Sequence, residues 1–227
     1  IENCHKYYWN FSDIKLIDSY YQKNTINKYF KYYEFNNLLK DKSVLDLGCG
    51  YINSKNKSIK YVGIDVDPKI ITNNDNDIYI CDLTEEWSNN IQSKKYNTTY
   101  YHLPNIEMFM DKYNNYKFDI IRCTNSIHYL LEKNNDILFK NINKYTTKDT
   151  LFIVKFLDGD LLNKLFQLGD LSYNSSFVRK HTDNKIKIYY EWCHIKPIIE
   201  TIYNKNKLEA IFNKYGWCVK EYYYNDI

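Results

Sequence analysis

The stretch Val44-Leu-Asp-Leu-Gly-Cys-Gly50 decides the fold, because it is an apolar run that carries Asp46 and closes on Gly48 and Gly50. A second apolar run contains Asp65, 19 residues after Asp46. In open α/β sheets, ligands bind outside the carboxyl ends of the strands, where the strand order reverses. Glycines at such an end let the backbone approach a ligand without interference from a Cβ atom. We therefore predict a nucleotide-type cofactor at the bend, with its ribose hydroxyls donating to Asp65.

Five short runs along the chain share strand length, β-branched or aromatic content and an almost continuously apolar character. They are Ser43–Gly48, Tyr61–Val66, Ile78–Leu83, Phe118–Cys123 and Leu151–Phe156. Runs of this kind are typical of parallel strands that are covered on both faces. Polar segments with helical spacing separate them, such as the amphipathic segment Asp136–Tyr145. The alternation predicts an α/β fold with a doubly wound, mostly parallel sheet.

The length of 227 residues fits one domain with a full core, and no repeat or linker divides it. We predict N-terminal helices at 1–42, a cofactor-binding core at 43–157, a substrate-side insertion at 158–200 and a C-terminal helix and strand at 201–227. Within these segments, helices are predicted at Phe11–Lys40, Asp160–Leu168 and Asn206–Trp217, and strands at Lys185–Trp192 and Cys218–Tyr224. The start at Ile1 suggests a piece of a larger polypeptide.

Composition excludes several classes of function. The net charge of +3 is too small to imply nucleic-acid binding by itself, and the many Lys, Asn and Tyr residues fit an A/T-rich genome. The six cysteines are scattered without a C-x-x-C pair, so we expect no metal site and a reducing compartment. No run reaches the ~20 apolar residues of a membrane span, and no signal-like segment opens the chain. We expect a soluble, cytoplasmic protein.

The residues after Gly50 distinguish between two cofactors that share this plan. A dinucleotide fingerprint needs a third glycine shortly after the second, but Tyr51, Ile52 and Asn53 follow here. S-adenosylmethionine has no phosphate and does not require that glycine. Asp82, after the third run, stands where methyltransferases commonly hold the adenine amino group. The pattern predicts a Rossmann-like, class I S-adenosylmethionine-dependent methyltransferase.

Further segments carry a resemblance to one family. They are FDIIRCTNSIHYLLE (Phe118–Glu132) with its His-Tyr pair, YYEFNNLLK (Tyr32–Lys40) with Asn-Asn-x-x-Lys, VKFLDGDLLNKL (Val154–Leu165), and Ile198–Trp217 with its glutamate. These segments resemble the messenger RNA cap guanine-N7 methyltransferases, most closely the capping enzymes of poxviruses and other large cytoplasmic DNA viruses. The matches run in order from about Tyr32 to Tyr224.

The bend and the resemblance together imply two sets of site residues. The predicted cofactor contacts are Lys40, Asp46, Gly48, Gly50, Asp65, Asp82, Thr124 and Tyr129. The cap guanosine is expected to lie among Asn36, Asn37, His128, Tyr129 and Glu200. Guanine N7 has no proton to remove, so no distinct catalytic base is expected. The enzyme would work by holding N7 in line with the methyl group, a proximity effect of up to about 7–11 kcal/mol.

The resemblance implies that His128 donates a positioning hydrogen bond and that Glu200 accepts from guanine N1–H and N2–H. A plainer alternative makes Glu200 an acidic residue that favours the start of the last helix. The resemblance also implies capped RNA as substrate, a stimulatory subunit or other capping-enzyme domains as partners, and a location in a virus factory or virion. Lys55, Lys57, Lys60 and Arg122 are candidates for the cap phosphates by charge alone.

The sequence departs from the family pattern in several places. The family has a lysine and two glycines where Tyr51, Ile52 and Asn53 stand, and Gln-Phe where Thr124 and Asn125 stand. The connection after Lys40 is short, and the chain ends before the family's final strand. Two alternatives therefore stay open: a methyltransferase of small molecules or proteins, and a catalytically silent, methyltransferase-like subunit of a capping complex.

Overall fold

The structure is a computed structural model of the 227-residue chain. It describes residues 15–16, 39–50, 58–68, 77–87, 104–124, 126–156, 158–167, 169–173, 176–190 and 197–218. The chain forms two compact units, one of Phe35–Lys155 and one of Ile1–Glu34 with Phe156–Ile227. The sequence analysis treats 1–227 as one domain whose core ends at 157. The structure divides the chain because the described strands form two separate sheets, and the core unit ends at Lys155.

The described elements are numbered in chain order. The strands are β1 (Lys15–Leu16), β2 (Ser43–Leu47), β3 (Lys60–Asp65), β4 (Asp77–Ile80), β5 (Ile120–Thr124), β6 (Leu151–Lys155), β7 (Leu171–Tyr173), β8 (Ser176–Thr182), β9 (Lys185–Tyr190) and β10 (Ile198–Thr201). The helices are α1 (Ile106–Lys112), α2 (Ile127–Lys133), α3 (Asn135–Asn143), α4 (Gly159–Phe166) and α5 (Lys205–Lys214).

The core unit is built on a parallel sheet with the order β4-β3-β2-β5-β6. The order runs outward in one direction from β2 to β4 and in the other from β5 to β6. It therefore reverses between β2 and β5, as in doubly wound folds of the Rossmann type. The predicted α/β fold class is confirmed, and each of the five predicted strands is present with ends shifted by a few residues.

Burial explains why these runs became strands of a parallel sheet. All five residues of β2 are buried, and the middle of β3 is buried as well. The predicted amphipathic helix is confirmed as α3, whose buried residues include Leu138, Phe139 and Ile142. The Asn134 side chain caps this helix by accepting from the Ile137 amide at 3.2 Å. No helix in the described part of the chain combines the length and hydrophobicity that crossing a bilayer requires.

Aromatic side chains fill much of the core between α1, α3 and β4. The Phe109 ring lies 5.4 Å from the Tyr79 ring, 5.6 Å from the Trp87 ring and 4.9 Å from the Tyr145 ring, centroid to centroid. Tyr113 packs against the same group. Tyr-rich composition in this unit is therefore used for packing, since each ring buries a large apolar surface.

The second unit contains an antiparallel sheet with the order β1-β7-β8-β9-β10 and the helices α4 and α5. The predicted helix at Asp160–Leu168 is confirmed as α4, the strand at Lys185–Trp192 as β9, and the helix at Asn206–Trp217 as α5. The helix predicted over Phe11–Lys40 is wrong at Lys15–Leu16, which pairs with β7 as a strand. Such long-range pairing overrides a local helical pattern. The last predicted strand, Cys218–Tyr224, lies outside the described residues, which end at Cys218.

A reciprocal hydrogen-bond pair joins the amino ends of β2 and β5. Ser43 donates to Asp119 Oδ2 from its amide at 2.8 Å and from its hydroxyl at 2.7 Å. The Asp119 amide donates in return to Ser43 Oγ at 3.0 Å. The hydrogen bonds from Ser43 hold the pKa of Asp119 below its ordinary value. The pair fixes the relative position of the two strands that flank the reversal of strand order.

We expect Asp119→Ala to lower the free energy of unfolding by about 1–2 kcal/mol at neutral pH, because the buried Ser43 amide loses a charged acceptor. Because the pKa of Asp119 is lowered in the folded protein, its contribution is present above the ordinary Asp pKa of about 3.9 and is lost as the pH falls through the lower folded value. The gap between the variant and the parent should therefore narrow in acid.

Urea denaturation at several pH values measures this difference. The control is Asp149→Ala, which removes an exposed carboxylate from a turn. A constant gap between the Asp119 variant and the parent from neutral to strongly acidic pH would contradict the assignment.

Candidate functional site

The chain bends sharply at the carboxyl end of β2. Gly48 and Gly50 adopt φ angles of 64° and 55°, a region that residues with a side chain rarely adopt. The amides of Gly48 and Cys49 both donate to the Ile64 carbonyl of β3, at 2.8 and 3.1 Å. The bend predicted from the two glycines is thus present, and it is tied to the neighbouring strand.

Gly48 is also constrained by a close neighbour just after β5, at the start of α2. A Cβ atom added at Gly48 would lie 2.6 Å from both Cβ and Oγ of Ser126. The Ser126 hydroxyl donates to the Gly48 carbonyl at 3.2 Å. Because β2 and β5 are the strands between which the sheet order reverses, this contact lies at the position where open α/β sheets bind their ligands.

Asp65 ends β3 beside this bend. Its Oδ2 accepts from the Gly50 amide at 2.7 Å, and its Oδ1 accepts from the Asp67 amide at 3.0 Å. Burial raises the pKa of Asp65 above its ordinary value, against the lowering effect of these backbone hydrogen bonds. The carboxylate is therefore held rigidly by the bend, and its burial disfavours the charge unless a ligand donates to it.

Asp82 follows β4 and stands next along the same edge. Its Oδ1 accepts from the Thr84 amide at 3.0 Å and from the Thr84 hydroxyl at 2.6 Å, and Lys133 Nζ lies 3.2 Å from its Oδ2. Burial acts to raise the pKa of Asp82, but the hydrogen bonds from Thr84 and the charge of Lys133 outweigh it and lower the pKa. A ligand at Asp82 would share the carboxylate with Lys133.

Asp46 lies one residue before the end of β2 and is almost fully buried. Arg122 Nη2 of β5 donates to its Oδ2 at 2.5 Å, and the Tyr61 hydroxyl of β3 donates to the same oxygen. The other oxygen, Oδ1, is buried without a hydrogen-bond partner in the described part of the chain. Burial raises the pKa of Tyr61, and the Asp46 charge raises it further, so its hydroxyl remains a donor.

The His128–Tyr129 pair lies in the first turn of α2, directly after Ser126. The two rings are 4.0 Å apart and inclined at 46°. His128 is buried, whereas Tyr129 is 44% exposed. Thr124, which ends β5, precedes them, and its carbonyl accepts from the Ser126 hydroxyl at 3.3 Å. The structure therefore brings Thr124, His128 and Tyr129 to the same sheet edge as Gly48.

Two cations predicted from the sequence lie at the opposite edge of the sheet. Lys40 is exposed in a turn before the amino end of β2, and five residues of strand, roughly 16 Å, separate that end from the bend. The structure therefore does not bring Lys40 to the cofactor edge. Lys60 begins β3 and lies over the Tyr113 ring at 4.7 Å. The predicted residues Asn36, Asn37, Lys55 and Lys57 lie outside the described residues.

Glu200 belongs to the second unit. It is 2% exposed, in β10, opposite Ile186 of β9. The alternative that it favours the start of the last helix is wrong, because α5 begins at Lys205 and Asn204 caps it by accepting from the Lys207 amide at 2.9 Å. A buried carboxylate in a strand is costly unless it is hydrogen-bonded, which is consistent with a specific role.

The thiols of the site are not nucleophiles. Burial, with the charges of Asp46 and Asp65, raises the pKa of Cys49 well above its ordinary value. Cys81 and Cys123 are also buried and reduced. Across the ranges that the structure describes, no group of three or more His, Cys, Asp or Glu side chains is placed to hold a metal ion. The site can bind and position ligands, and it has no described residue set for covalent or metal chemistry.

The described residues fit an adenosyl sulfonium cofactor. A glycine bend that a Cβ would block at Gly48 gives close backbone approach, and Asp65 offers a carboxylate to a ribose diol. Two residues of the site were not predicted from the sequence: Ser126, which contacts Gly48, and Lys133, which pairs with Asp82. Arg122, a candidate for the cap phosphates by charge alone, forms an ion pair with Asp46 in the structure.

Comparisons with known proteins include a solved structure from an archaeon. No protein-family model matches the chain. The chain is similar to the crystal structure of the PH0226 protein from Pyrococcus horikoshii OT3, at 15% identity, over 79% of this chain and 75% of that chain, with a TM-score of 0.47. The assignment to the Rossmann-like α/β class therefore rests on the strand order and register given above.

We expect Arg122→Met to destabilise the core unit by about 3–5 kcal/mol, because it leaves the Asp46 carboxylate buried beside one neutral donor. Thermal or urea unfolding measures the loss. Adding Asp46→Asn to this variant should recover part of it, because the uncompensated charge is then removed. A double variant no more stable than Arg122→Met alone would show that the ion pair does not cause the effect.

Proposed function

We propose that this chain is an S-adenosylmethionine-dependent methyltransferase that methylates N7 of the guanine cap of messenger RNA. One observation carries the cofactor part of the proposal. The positive-φ glycine bend and the partly buried Asp65 carboxylate lie at the carboxyl ends of β2 and β3, next to the reversal of the strand order, and are joined by the 2.7 Å hydrogen bond from the Gly50 amide. Open α/β sheets bind nucleotides at this position.

The carboxylates at the carboxyl ends of β3 and β4 can accept hydrogen bonds from the ribose and the adenine of the cofactor. The ribose hydroxyls would donate to Asp65, and the adenine amino group would donate to Asp82 beside Lys133. The cofactor supplies an activated methyl group on a sulfonium. The residues of this chain have only to hold it, exclude water and keep the acceptor atom in line, because no proton has to be removed from guanine N7.

The cap part of the proposal rests on the resemblance and on the placement of the His-Tyr pair. The rings of His128 and Tyr129 are in contact at the start of α2, and α2 ends near Asp82 through the Lys133 ion pair. The exposed face of Tyr129 offers a stacking surface to a purine. Glu200 is a buried acceptor with the chemistry that guanine N1–H and N2–H require.

We expect Asp65→Asn to weaken binding of S-adenosylhomocysteine by about 10- to 100-fold, because a hydrogen bond to a charged acceptor contributes about 1.5–3 kcal/mol. Isothermal titration calorimetry measures the affinity. Asp119→Asn makes the same change of charge at the opposite edge of the sheet and should leave the affinity unaltered.

The same titration decides whether the cofactor class is right. If the parent protein gives no heat with S-adenosylhomocysteine while a nicotinamide dinucleotide binds, the proposed function is rejected. A chain that binds neither ligand would support the silent-subunit alternative.

We expect His128→Ala to lower methyl transfer to the cap by about 5- to 150-fold, because the variant loses a hydrogen bond to the guanine worth about 1–3 kcal/mol. The affinity for S-adenosylhomocysteine should stay unchanged. Transfer of labelled methyl groups from S-adenosylmethionine to capped RNA measures the activity, and the same RNA without a cap is the control. Equal labelling of capped and uncapped RNA would contradict the assignment of the cap.

A further inference from the structure

The antiparallel sheet of the second unit presents two faces of opposite character. One face carries Val178, Ile186 and Ile188, each 4% exposed or less. Strand alternation places the neighbouring residues on the other face. We call the latter the outer face, and its described side chains are Phe177, Arg179, Lys185, Lys187, Tyr189 and Ile199.

The outer face combines exposed apolar groups with cations. Phe177 on the central strand β8 is 46% exposed, and Ile199 on the edge strand β10 is 47% exposed. Pairing across the strands places Phe177 beside Tyr189, and Arg179 beside Lys187, which in turn lies beside Ile199. The surface therefore alternates rings and positive charges at strand spacing.

The charges on this face favour an anionic partner. Arg179 forms an ion pair with Asp170 at 2.8 Å and lies 5.7 Å from the centre of the Tyr189 ring. The Arg179 side chain is 56% exposed despite these contacts. Among the described residues, Arg179, Lys185 and Lys187 bring three positive charges to the face, and Asp170 beside it brings one negative charge.

We propose that the outer face binds single-stranded nucleic acid. A base would stack on Phe177, and the phosphates beside it would contact Arg179 and Lys187. Proteins that bind single strands combine such aromatic platforms with positive charge, and sheets with exposed aromatics are a known form of that surface. The choice of RNA over DNA rests on the proposed function, whereas the binding surface itself does not.

Fluorescence anisotropy with the full 227-residue chain tests the proposal. The probe is an uncapped, labelled RNA of about 12 nucleotides, which spans the usual site sizes of such surfaces. A DNA strand of the same sequence and an RNA duplex are measured beside it, without cofactor, between about 50 and 200 mM salt.

The double variant Arg179→Ala/Lys187→Ala should bind the RNA about tenfold more weakly at low salt. The slope of log affinity against log salt should become shallower by about 1.4, because each contact to a single-strand phosphate contributes about 0.7. Phe177→Ala should weaken binding by about 5- to 150-fold through lost stacking, with the salt slope unchanged. Lys148→Ala/Lys164→Ala removes two exposed charges elsewhere and should change affinity less than about twofold.

Several outcomes would overturn the proposal. The proposal fails if the parent chain binds no single strand, or if the two double variants lose the same affinity. Duplex RNA bound as tightly as the single strand would also reject it, because paired bases cannot stack on Phe177. If Phe177→Asp instead abolished self-association in sedimentation and left RNA affinity unchanged, the face would be a protein interface.

The test stays separate from the cofactor assignment. Asp65→Asn should leave RNA affinity unaltered even where it abolishes binding of S-adenosylhomocysteine. Thermal unfolding of every variant checks that the sheet is intact. If Phe177→Ala fails to fold, Phe177→Tyr is measured in its place. This variant keeps an aromatic ring and should bind RNA with the affinity of the parent chain.

Discussion

The close contact between Gly48 and Ser126 is the constraint on which the rest of the core unit depends. The residue just after β5 approaches the end of β2 so closely that no side chain fits at Gly48. With the bend fixed there, the Gly50 amide points at Asp65, and the Asp65 carbonyl accepts from the Cys81 amide at 2.8 Å, just before Asp82. A chain of hydrogen bonds thus runs along one sheet edge from Ser126 to Asp82. At the opposite edge, the Ser43–Asp119 pair fixes the same two strands, so that the edge is positioned from both ends.

The negative charges of the three carboxylates in this region, Asp46, Asp65 and Asp82, are balanced in three different ways. Asp46 is neutralised by Arg122 and Tyr61 and stabilises the sheet. Asp82 shares its charge with Lys133 at 63% side-chain exposure, so that this pair contributes little stability and can rearrange. Asp65 accepts hydrogen bonds from the Gly50 and Asp67 amides, and burial raises its pKa. A hydrogen-bond donor bound to Asp65 would lower the free-energy cost of keeping this carboxylate charged. Because the Gly50 amide of the bend also donates to Asp65, such a donor would depend on the geometry of the bend.

How far the sequence could predict the structure depends on whether the signal was local. The runs of the parallel sheet were readable because strands covered on both faces are largely apolar, as β2 is, although the edge strand β6 is only partly buried. The bend was readable because few residues other than glycine adopt φ angles near 60°. Lys15–Leu16 was not readable, because its strand state depends on β7, more than 150 residues later. The position of Lys40 could not be predicted either. A residue close to β2 in sequence can lie at the amino or the carboxyl ends of the strands, and Lys40 lies at the amino ends. Arg122 looked like a free cation because its partner Asp46 lies 76 residues away.

The second unit shows how a two-residue period separates two kinds of surface on the same strands. Glu200 and Ile186 face the buried side, while Ile199 and Lys187, their immediate neighbours, face outward. A shift of register by one residue would exchange the two sets and bury the cations. The turn after β8 prevents such a shift, because the Thr182 hydroxyl donates to the Asn184 side chain at 2.9 Å and the Asn184 carbonyl accepts from the Ile202 amide at 2.9 Å. The same turn that holds Glu200 inside the unit therefore holds Arg179 and Lys187 outside it, and the buried acceptor and the cationic face are two consequences of one register.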